Sequence, residues 1–369
     1  MITSRLALAA AIACTPFPAF AADAADTTLA GAATAAPTPG SAEDAHHAHG
    51  DDNGEVIVTG IRRRTQDVLG GISVLDAADL TREIRPSIGE TLARQPGVSA
   101  TSFGPAASAP VLRGLTGDRV GVLTDGIGSL DLSSSGPDHA IAINPVTAER
   151  IEVLGGPAAL LFGSSAIGGV VNVIDTRIPR SVPENVVGLD ALAGYGTAAN
   201  ERLLNGALDV PLGGHFVAHV DGNWTKSDDL RTGGHILSKD LREQAPASPD
   251  PEIQALADLK GDLPNSAAES KEGALGFAYV DDGLNFGASV TRHEATYQVP
   301  FRYSLDPAVE PEAPTIDQKQ TRYDFRAEIP VPGFLSHVRL RGGYANYRHF
   351  ELEDTGEIAT RFFSKGGEG

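Results

Sequence analysis

Beyond Pro183 the chain repeats segments of about ten residues in which apolar side chains return at every second position. In the segment from His215 to Thr225, Phe216, Ala218, Val220, Gly222 and Trp224 share one parity, and His215, His219, Asp221, Asn223 and Thr225 the other. Leu284, Phe286, Ala288 and Val290 likewise alternate with Asn285, Ser289, Thr291 and His293, and Tyr323, Phe325, Ala327 and Ile329 with Arg322, Asp324, Arg326 and Glu328. A strand sends successive side chains to opposite faces, so this period excludes helices and demands a sheet with one apolar and one polar face. The breaks alternate as well. Pro211–Gly214, Asp281–Gly283 and Pro330–Gly333 are short, whereas 226–270 and 298–318 are long and polar. Tight turns on one side and long loops on the other, joined by alternating strands, are what a transmembrane barrel requires, with lipid outside and water inside. About eight strands are expected, the last near Ile358–Phe363, with no closing aromatic strand after it.

A different grammar precedes them. From Val111 to Asp175, short β-branched runs alternate with glycine, Asp-Gly and Gly-Pro breaks, the pattern of small strands joined by tight turns. Ahead of this stretch, Ile72 onwards reads as a strand, then a helix capped by Asp76 or Asp79, then a short helix from Ser87 to Arg94 stopped by Pro96-Gly97. No Gly-Lys-Ser/Thr follows a glycine cluster, and neither a Gly-x-Ser-x-Gly elbow nor a His-Glu-x-x-His pair occurs. Enzyme chemistry therefore has no foothold.

The words Val111-Leu112-Arg113-Gly114, Leu123-Thr124-Asp125-Gly126, Ile151-Glu152-Val153-Leu154-Gly155-Gly156-Pro157 and Phe162-Gly163 through Gly168-Gly169-Val170-Val171-Asn172-Val173 follow one another in a definite order. In that order they resemble the plug domain of TonB-dependent outer-membrane receptors, and Leu92-Ala93-Arg94-Gln95-Pro96-Gly97-Val98 resembles a further word of the same domain. The resemblance implies an α+β plug domain at residues 55–180 followed, from 186 to 369, by an incomplete antiparallel transmembrane β-barrel. The family's barrel belongs to the 22-stranded, plugged-lumen class, so the chain is expected to be a fragment or a truncated reading frame. It also implies a Gram-negative outer-membrane location, contact with outer-membrane lipid, and active uptake of a scarce nutrient without enzymatic chemistry. Gly155 stands where the family usually has Arg. That arginine is implied to pair with acidic groups on the barrel wall, so one plug-to-wall ion pair is expected to be missing.

At the start, Arg5 precedes an apolar run from Leu6 to Phe20 that ends Ala19-Phe20-Ala21, the pattern of a signal peptide at residues 1–21. The single cysteine, Cys14, falls inside it, leaving the exported chain without thiol, disulfide or cysteine-bound metal. No later run reaches the roughly 18 apolar residues of a spanning helix, so strands must do any spanning. With 29 basic against 48 acidic residues, nucleic acid is not expected as a partner. The acidic balance favours cations, and it is equally explained by solubility and outward-facing loops. Residues 22–54 are rich in Ala, Thr, Pro and Gly and read as a disordered arm. Within the arm His46, His47 and His49 among Glu43, Asp44, Asp51 and Asp52 read either as a loose collector of Zn²⁺ or Ni²⁺ or as a solvated linker.

Directly after the arm comes the pentad Glu55, Val56, Ile57, Val58 and Thr59. It is similar to the family's TonB box, which implies the TonB complex of the inner membrane as partner through residues 55–59. The physics would be β-augmentation, in which an unpaired extended peptide offers main-chain groups to another sheet's edge. The competing reading is the plug's own first strand.

The candidate ligand site lies in Ser133-Ser134-Ser135-Gly136-Pro137-Asp138-His139-Ala140, where Gly136-Pro137 sets a turn and Asp138 and His139 project from it. One carboxylate and one imidazole make half of a tetrahedral zinc site, and they equally suit a turn aspartate beside a hydrogen-bonded histidine. Ser-Pro-Asp-His-Ala is similar to the zinc-uptake branch of the family, which implies that Asp138 and His139 bind the ion with ligands from the barrel wall. Strand parity supplies His293, His349 and Glu351 as inward-facing secondary candidates. The loop after Tyr297 lacks the His and Cys enrichment of that branch, so a siderophore, another metal chelate or a small ligand stays open as cargo. A passive surface binding protein of the same architecture also stays open. No resident cofactor is expected; zinc enters as the transported ligand.

Overall fold

The computed structural model describes residues 55–58 and 61–64 and, except for 157–158, 160–161, 164–165, 185, 282, 301–304, 307–312, 332 and 334–336, residues 71–369. The signal segment, the arm with His46, His47 and His49, and Thr59 lie outside the described residues.

The chain enters as β1 (Glu55–Val58), paired antiparallel with β2 (Ile61–Arg64), Val58 opposite Ile61. The pentad's backbone is thus engaged along one edge rather than unpaired, because a two-residue connection suffices to return an antiparallel partner. Its other edge has no strand beside it among the described residues.

Beyond this hairpin the plug builds on β3 (Ile72–Leu75), α1 (Ala77–Glu83) and α2 (Ile88–Leu92). Asp76 caps α1 by accepting from the Ala78 and Asp79 N–H groups, and Ser87 caps α2 through Glu90 N–H, which satisfies donors that a helix start leaves open. There follow β4 (Val98–Ala100), β5 (Pro110–Leu112), β6 (Val120–Thr124), β7 (Ile127–Gly128), β8 (Ala148–Leu154) and β9 (Gly169–Asp175). Five of the strands make one sheet in the order β3-β8-β9-β6-β7, antiparallel except for the β6–β9 pair. Every residue of β9 is buried, which is why the Gly-Val-Val-Asn-Val word carries no alternation: both faces of this strand are covered. Leu75, Leu80, Leu92, Ile151 and Val171 form the core on one side, and Leu123, Leu154 and Val170 that on the other. Each such side chain contributes about 1.5–3 kcal/mol by leaving water.

A polar pair buried in this core is satisfied. Buried Asn172 donates to Glu152 (3.3 Å) and accepts from Gly126 N–H (2.9 Å), and Glu152 also accepts from Arg150 Nε (3.0 Å). Asn172 thereby clamps the Asp125-Gly126 turn, whose two residues both have positive φ (49° and 85°) as a tight two-residue hairpin requires.

Eight further strands form a single antiparallel sheet: β10 (Gly188–Gly196), β11 (Glu201–Gly213), β12 (Phe216–Ser227), β15 (Ala268–Asp281), β16 (Leu284–Gln298), β17 (Thr315–Pro330), β18 (His337–Leu352) and β19 (Ile358–Glu368). Residues 228–267, read from sequence as a polar loop, hold a hairpin of β13 (Leu230–His235) and β14 (Lys260–Leu263) and the short helices α3 (Lys239–Gln244) and α4 (Pro251–Ala255). Among the described residues β10 and β19 are the two edges, so the barrel is incomplete.

Its faces are inverted relative to a soluble sheet. Phe216, Val220, Leu275, Phe277, Phe286, Tyr323 and Phe325 are exposed, while His219, Asp221, Asn223, Ser289, Thr291, Gln320 and Arg322 are buried against the plug. Apolar outward and polar inward is the arrangement of a transmembrane barrel, whose outer face meets hydrocarbon, and here the inner face meets the plug's backbone and loops. Near the short turns, Phe216, Phe277, Tyr279 and Phe286 pack together on the outer face, stacked or edge-on, with centroids 5.1–5.3 Å apart, as interfacial aromatic girdles do.

The plug is fastened to this wall through the segment after β9. Arg177 is buried, bonds Asp221 through Nε (3.1 Å), pairs with Glu272, and lies 3.8 Å from Asp175. Two histidines extend the chain of contacts: His293 Nδ1 meets Glu272 at 3.0 Å, and His219 bridges Asp221 (3.1 Å) and Asp209 (2.8 Å). Burial disfavours the Arg177 charge, yet Glu272, Asp175 and Asp221 outweigh it and hold the guanidinium protonated. Position 155 contributes no such pair. A Cβ there would lie 2.9 Å from Arg113 Nη2, so Arg113 fills the space and Arg177 supplies the plug-to-wall ion pair instead.

Asp175 gives this seam a pH dependence. Burial and Asp125 push its carboxyl up from 3.8 to about 6, against the pull of Arg177 and Arg180. The folded state therefore favours the protonated acid. The resulting stabilisation is full below 3.8 and is lost as pH rises through about 6. Asp175→Asn keeps the shape and the acceptor for Arg177 N–H (3.1 Å) without the charge. Its urea midpoint is expected to gain on that of the native chain as pH rises through this window. Parallel midpoints across the window would contradict the assignment.

Candidate metal centre

The loop between β7 and β8 is shaped by Asp131, whose Oδ1 accepts from Ser133 N–H (3.0 Å) and Oγ (2.6 Å) and whose Oδ2 accepts from Ala142 N–H (2.8 Å). One carboxylate thus closes both ends of the apical loop. Between these ends, a 3₁₀ turn at Ser133–Ser135 and the His139 N–H bond to the Gly136 carbonyl (3.3 Å) fold the His139 side chain back over Gly136. A Cβ at Gly136 would stand 3.0 Å from both the His139 ring and Asp138 Oδ1, so glycine leaves the room for this close approach.

His139 Nδ1 lies 3.0 Å from Ser135 Oγ and 3.3 Å from the Leu132 carbonyl, and the Ser135 hydroxyl itself donates to that carbonyl (2.6 Å). A carbonyl only accepts, so the network assigns the hydrogen to Nδ1 and aims Nε2 away from the loop. Nε2 meets Glu351 Oε1 of β18 at 3.0 Å. His349, two residues earlier on the same inward face, joins them. One ligand atom from each of His139, His349 and Glu351 lies within 4.8 Å of the others. Donors about 2.0–2.1 Å from a tetrahedral zinc ion are separated by roughly 3.3 Å; His139 Nε2 and Glu351 Oε1 already stand 3.0 Å apart, and the set as a whole would draw in from its 4.8 Å spread to hold the ion.

The surroundings hold the imidazoles still. Tyr347 Oη meets His349 Nδ1 at 2.9 Å, which leaves Nε2 as the free ligand atom, and this Nε2 is buried without a hydrogen-bond partner. Phe362 stacks on His349 (4.3 Å between centroids) and meets His139 edge-on (5.2 Å). Tyr297, on β16, accepts from Ala140 N–H (2.8 Å) and anchors the loop to the wall immediately after His139. His139 is 5 % exposed and His349 0 %; the Glu351 carboxylate, at 24 %, is the accessible edge.

Of the sequence candidates, the structure brings together His139, His349 and Glu351. Asp138 shares the loop but is not one of the three. His293 faces inward as parity required, yet it is spent on Glu272 in the Arg177 network, because β16 places it over the plug's lower seam rather than its apex. Asp131, Ser135, Tyr347 and Phe362 were not singled out from the sequence. Only Asp131 carried a local signal, the Asp-x-Ser pattern of a side chain capping its own turn.

Residues 64–170 match the family model described as the TonB-dependent Receptor Plug Domain. This segment is similar to that family's plug domain. Two solved structures share the arrangement of plug and strands. The FrpB iron transporter from Neisseria meningitidis (F3-3 variant) superposes with a TM-score of 0.58 at 13% identity, covering 81% of this chain and 46% of that one. FpvAI in its complex with pyocin S2 superposes with a TM-score of 0.50 at 12% identity, covering 83% and 48%. The chain thus spans about half the length of the solved receptors it matches. At such identities the likeness is one of fold.

Proposed function

We propose that this chain is the plug and the beginning of the barrel of a TonB-dependent outer-membrane receptor that takes up a bare divalent transition-metal ion, with zinc as the principal cargo. The observation that carries this reading is the convergence of His139 from the plug with His349 and Glu351 from the wall. Two imidazoles and one carboxylate suit Zn²⁺, Cu²⁺ or Ni²⁺ and disfavour the oxygen-seeking Ca²⁺ and Mg²⁺. The burial of both histidines favours a naked ion over a siderophore, whose bulk could not reach either Nε2 without displacing Phe362 or the loop. Iron transport is the stated role of one receptor of like fold, so an iron chelate is the second reading for this chain.

Because one ligand belongs to the plug and two to the wall, the ion bridges two bodies. Movement of residues 131–142 away from β18 would dismantle the site and release the cargo inward. Pulling on β1 by the inner-membrane TonB complex, which would add a strand along its open edge, supplies that movement. The receptor itself performs no catalysis.

Uptake of radioactive Zn²⁺ into cells producing the protein tests the reading. Uptake is expected to vanish when residues 55–58 are deleted and when the proton gradient is collapsed. Uptake that survives both would make the protein a passive binder or pore. Competition by a ferric chelate, without competition by Cu²⁺ or Ni²⁺, would move the assignment to the chelate.

A further inference from the structure

Gln318 sits on the inner face of β17, opposite His349 in the β17–β18 ladder, and is 1 % exposed. Register partners on one face have Cβ atoms about 4.5–5.5 Å apart, so its carboxamide and the His349 imidazole leave the wall side by side. Gln318 Nε2 lies 3.5 Å from the carbonyl of Ala140, the residue after His139. That contact orients the amide, with N–H toward the carbonyl and Oε1 left as an acceptor. Oε1 is buried and has no hydrogen-bond partner, and His349 Nε2 is in the same condition. Two polar atoms on cross-strand partners, both desolvated and neither with a hydrogen-bond partner, call for a third party.

On the metal-receptor reading above, we propose that Gln318 Oε1 is the fourth ligand of the ion held by His139, His349 and Glu351. The set then has two nitrogens and two oxygens, the number that a closed tetrahedral zinc site takes. A neutral carboxamide in place of a second carboxylate keeps the ligand charge at that of Glu351 alone. This choice preserves selection for ions that bind imidazole strongly, since added carboxylate would improve the fit for Mn²⁺. It also makes the ion easier to release when the plug moves.

The test is a competition titration of the detergent-purified chain with Zn²⁺ and a chromophoric chelator, together with the visible absorption of the Co²⁺-loaded chain. Gln318→Leu is expected to weaken Zn²⁺ binding by roughly tenfold or more, the scale on which even outer-shell partners act, and to change the intensity of the Co²⁺ bands. Gln318→Glu, nearly isosteric, is expected to bind Zn²⁺ at least as tightly as the native chain and to narrow its preference over Mn²⁺. Native-like affinity and Co²⁺ spectrum in Gln318→Leu would overturn the proposal and leave the three-residue site standing. Equal weakening in both variants would also overturn it, since a residue needed only for packing would behave so. Absence of saturable Zn²⁺ binding by the native chain would instead defeat the metal-receptor reading itself.

Discussion

Replacement of His139 by Ala is expected to abolish tight Zn²⁺ binding, lowering affinity by more than the roughly 100-fold that loss of an outer-shell partner can cost. The plug contributes this one imidazole to the trio, and without it His349 and Glu351 offer two ligands on a single strand. The fold should tolerate the change. The Ser135 hydroxyl already satisfies the Leu132 carbonyl (2.6 Å), so stability is expected to fall by only about 1 kcal/mol, the net worth of an ordinary hydrogen bond. His293→Ala is the informative contrast. His293 binds Glu272, 3.0 Å away in the seam, so its loss should weaken the plug's seating and leave Zn²⁺ affinity within about twofold, well inside the range that outer-shell changes produce. Chelator competition on the two variants separates the apex from the seam. The reverse ranking would place the ion at His293 and refute the site described above.

Arg177→Met should loosen the plug by roughly 3–5 kcal/mol, the cost of removing one partner from a buried ion pair. Methionine retains much of the volume but abandons Glu272, Asp221 and Asp175 within one desolvated pocket. Amide exchange in β9 reads the effect directly, because Asp175 ends that strand. An acceleration of about 100-fold or more is expected from the free-energy loss at 1.4 kcal/mol per decade. Adding Glu272→Gln and Asp221→Asn should recover part of the loss, since the stranded charges disappear with them. Introducing arginine at position 155 should not, because Arg113 already occupies that space. Unchanged exchange in Arg177→Met would show that backbone contacts, such as those from Arg322 to Gly128 (2.7 Å) and from Gln320 to Ser129 (3.0 Å), suffice to seat the plug.

The alternation after Pro183 determined which side chains face lipid and which face the lumen, because a strand has only two faces and a one-residue slip would invert both. Phe216, Phe286 and Phe325 outside, with His219, Thr291 and Arg322 inside, follow from parity alone. Likewise Asp76 and Ser87 announced the two helix starts through local capping chemistry, and the Asp-Gly and Gly-Gly-Val words marked the turn and the central strand of the plug. These are short-range properties, each written within a few residues.

What parity could not decide was depth. His293, His349 and Glu351 all face inward, but only the ladder register and the seating of the plug determine which of them stands beside His139, 212 residues before Glu351 in the chain. The same holds for Gln318 and Tyr347, ordinary strand residues until the cross-strand pairing sets one opposite His349 and the two-residue repeat sets the other beneath it. The hairpin that engages Glu55–Val58 and the substitution of Arg177 for an arginine at 155 are also products of pairing and packing. A site assembled from a loop and a wall is specified by how two bodies fit, and no local pattern in either carries that information.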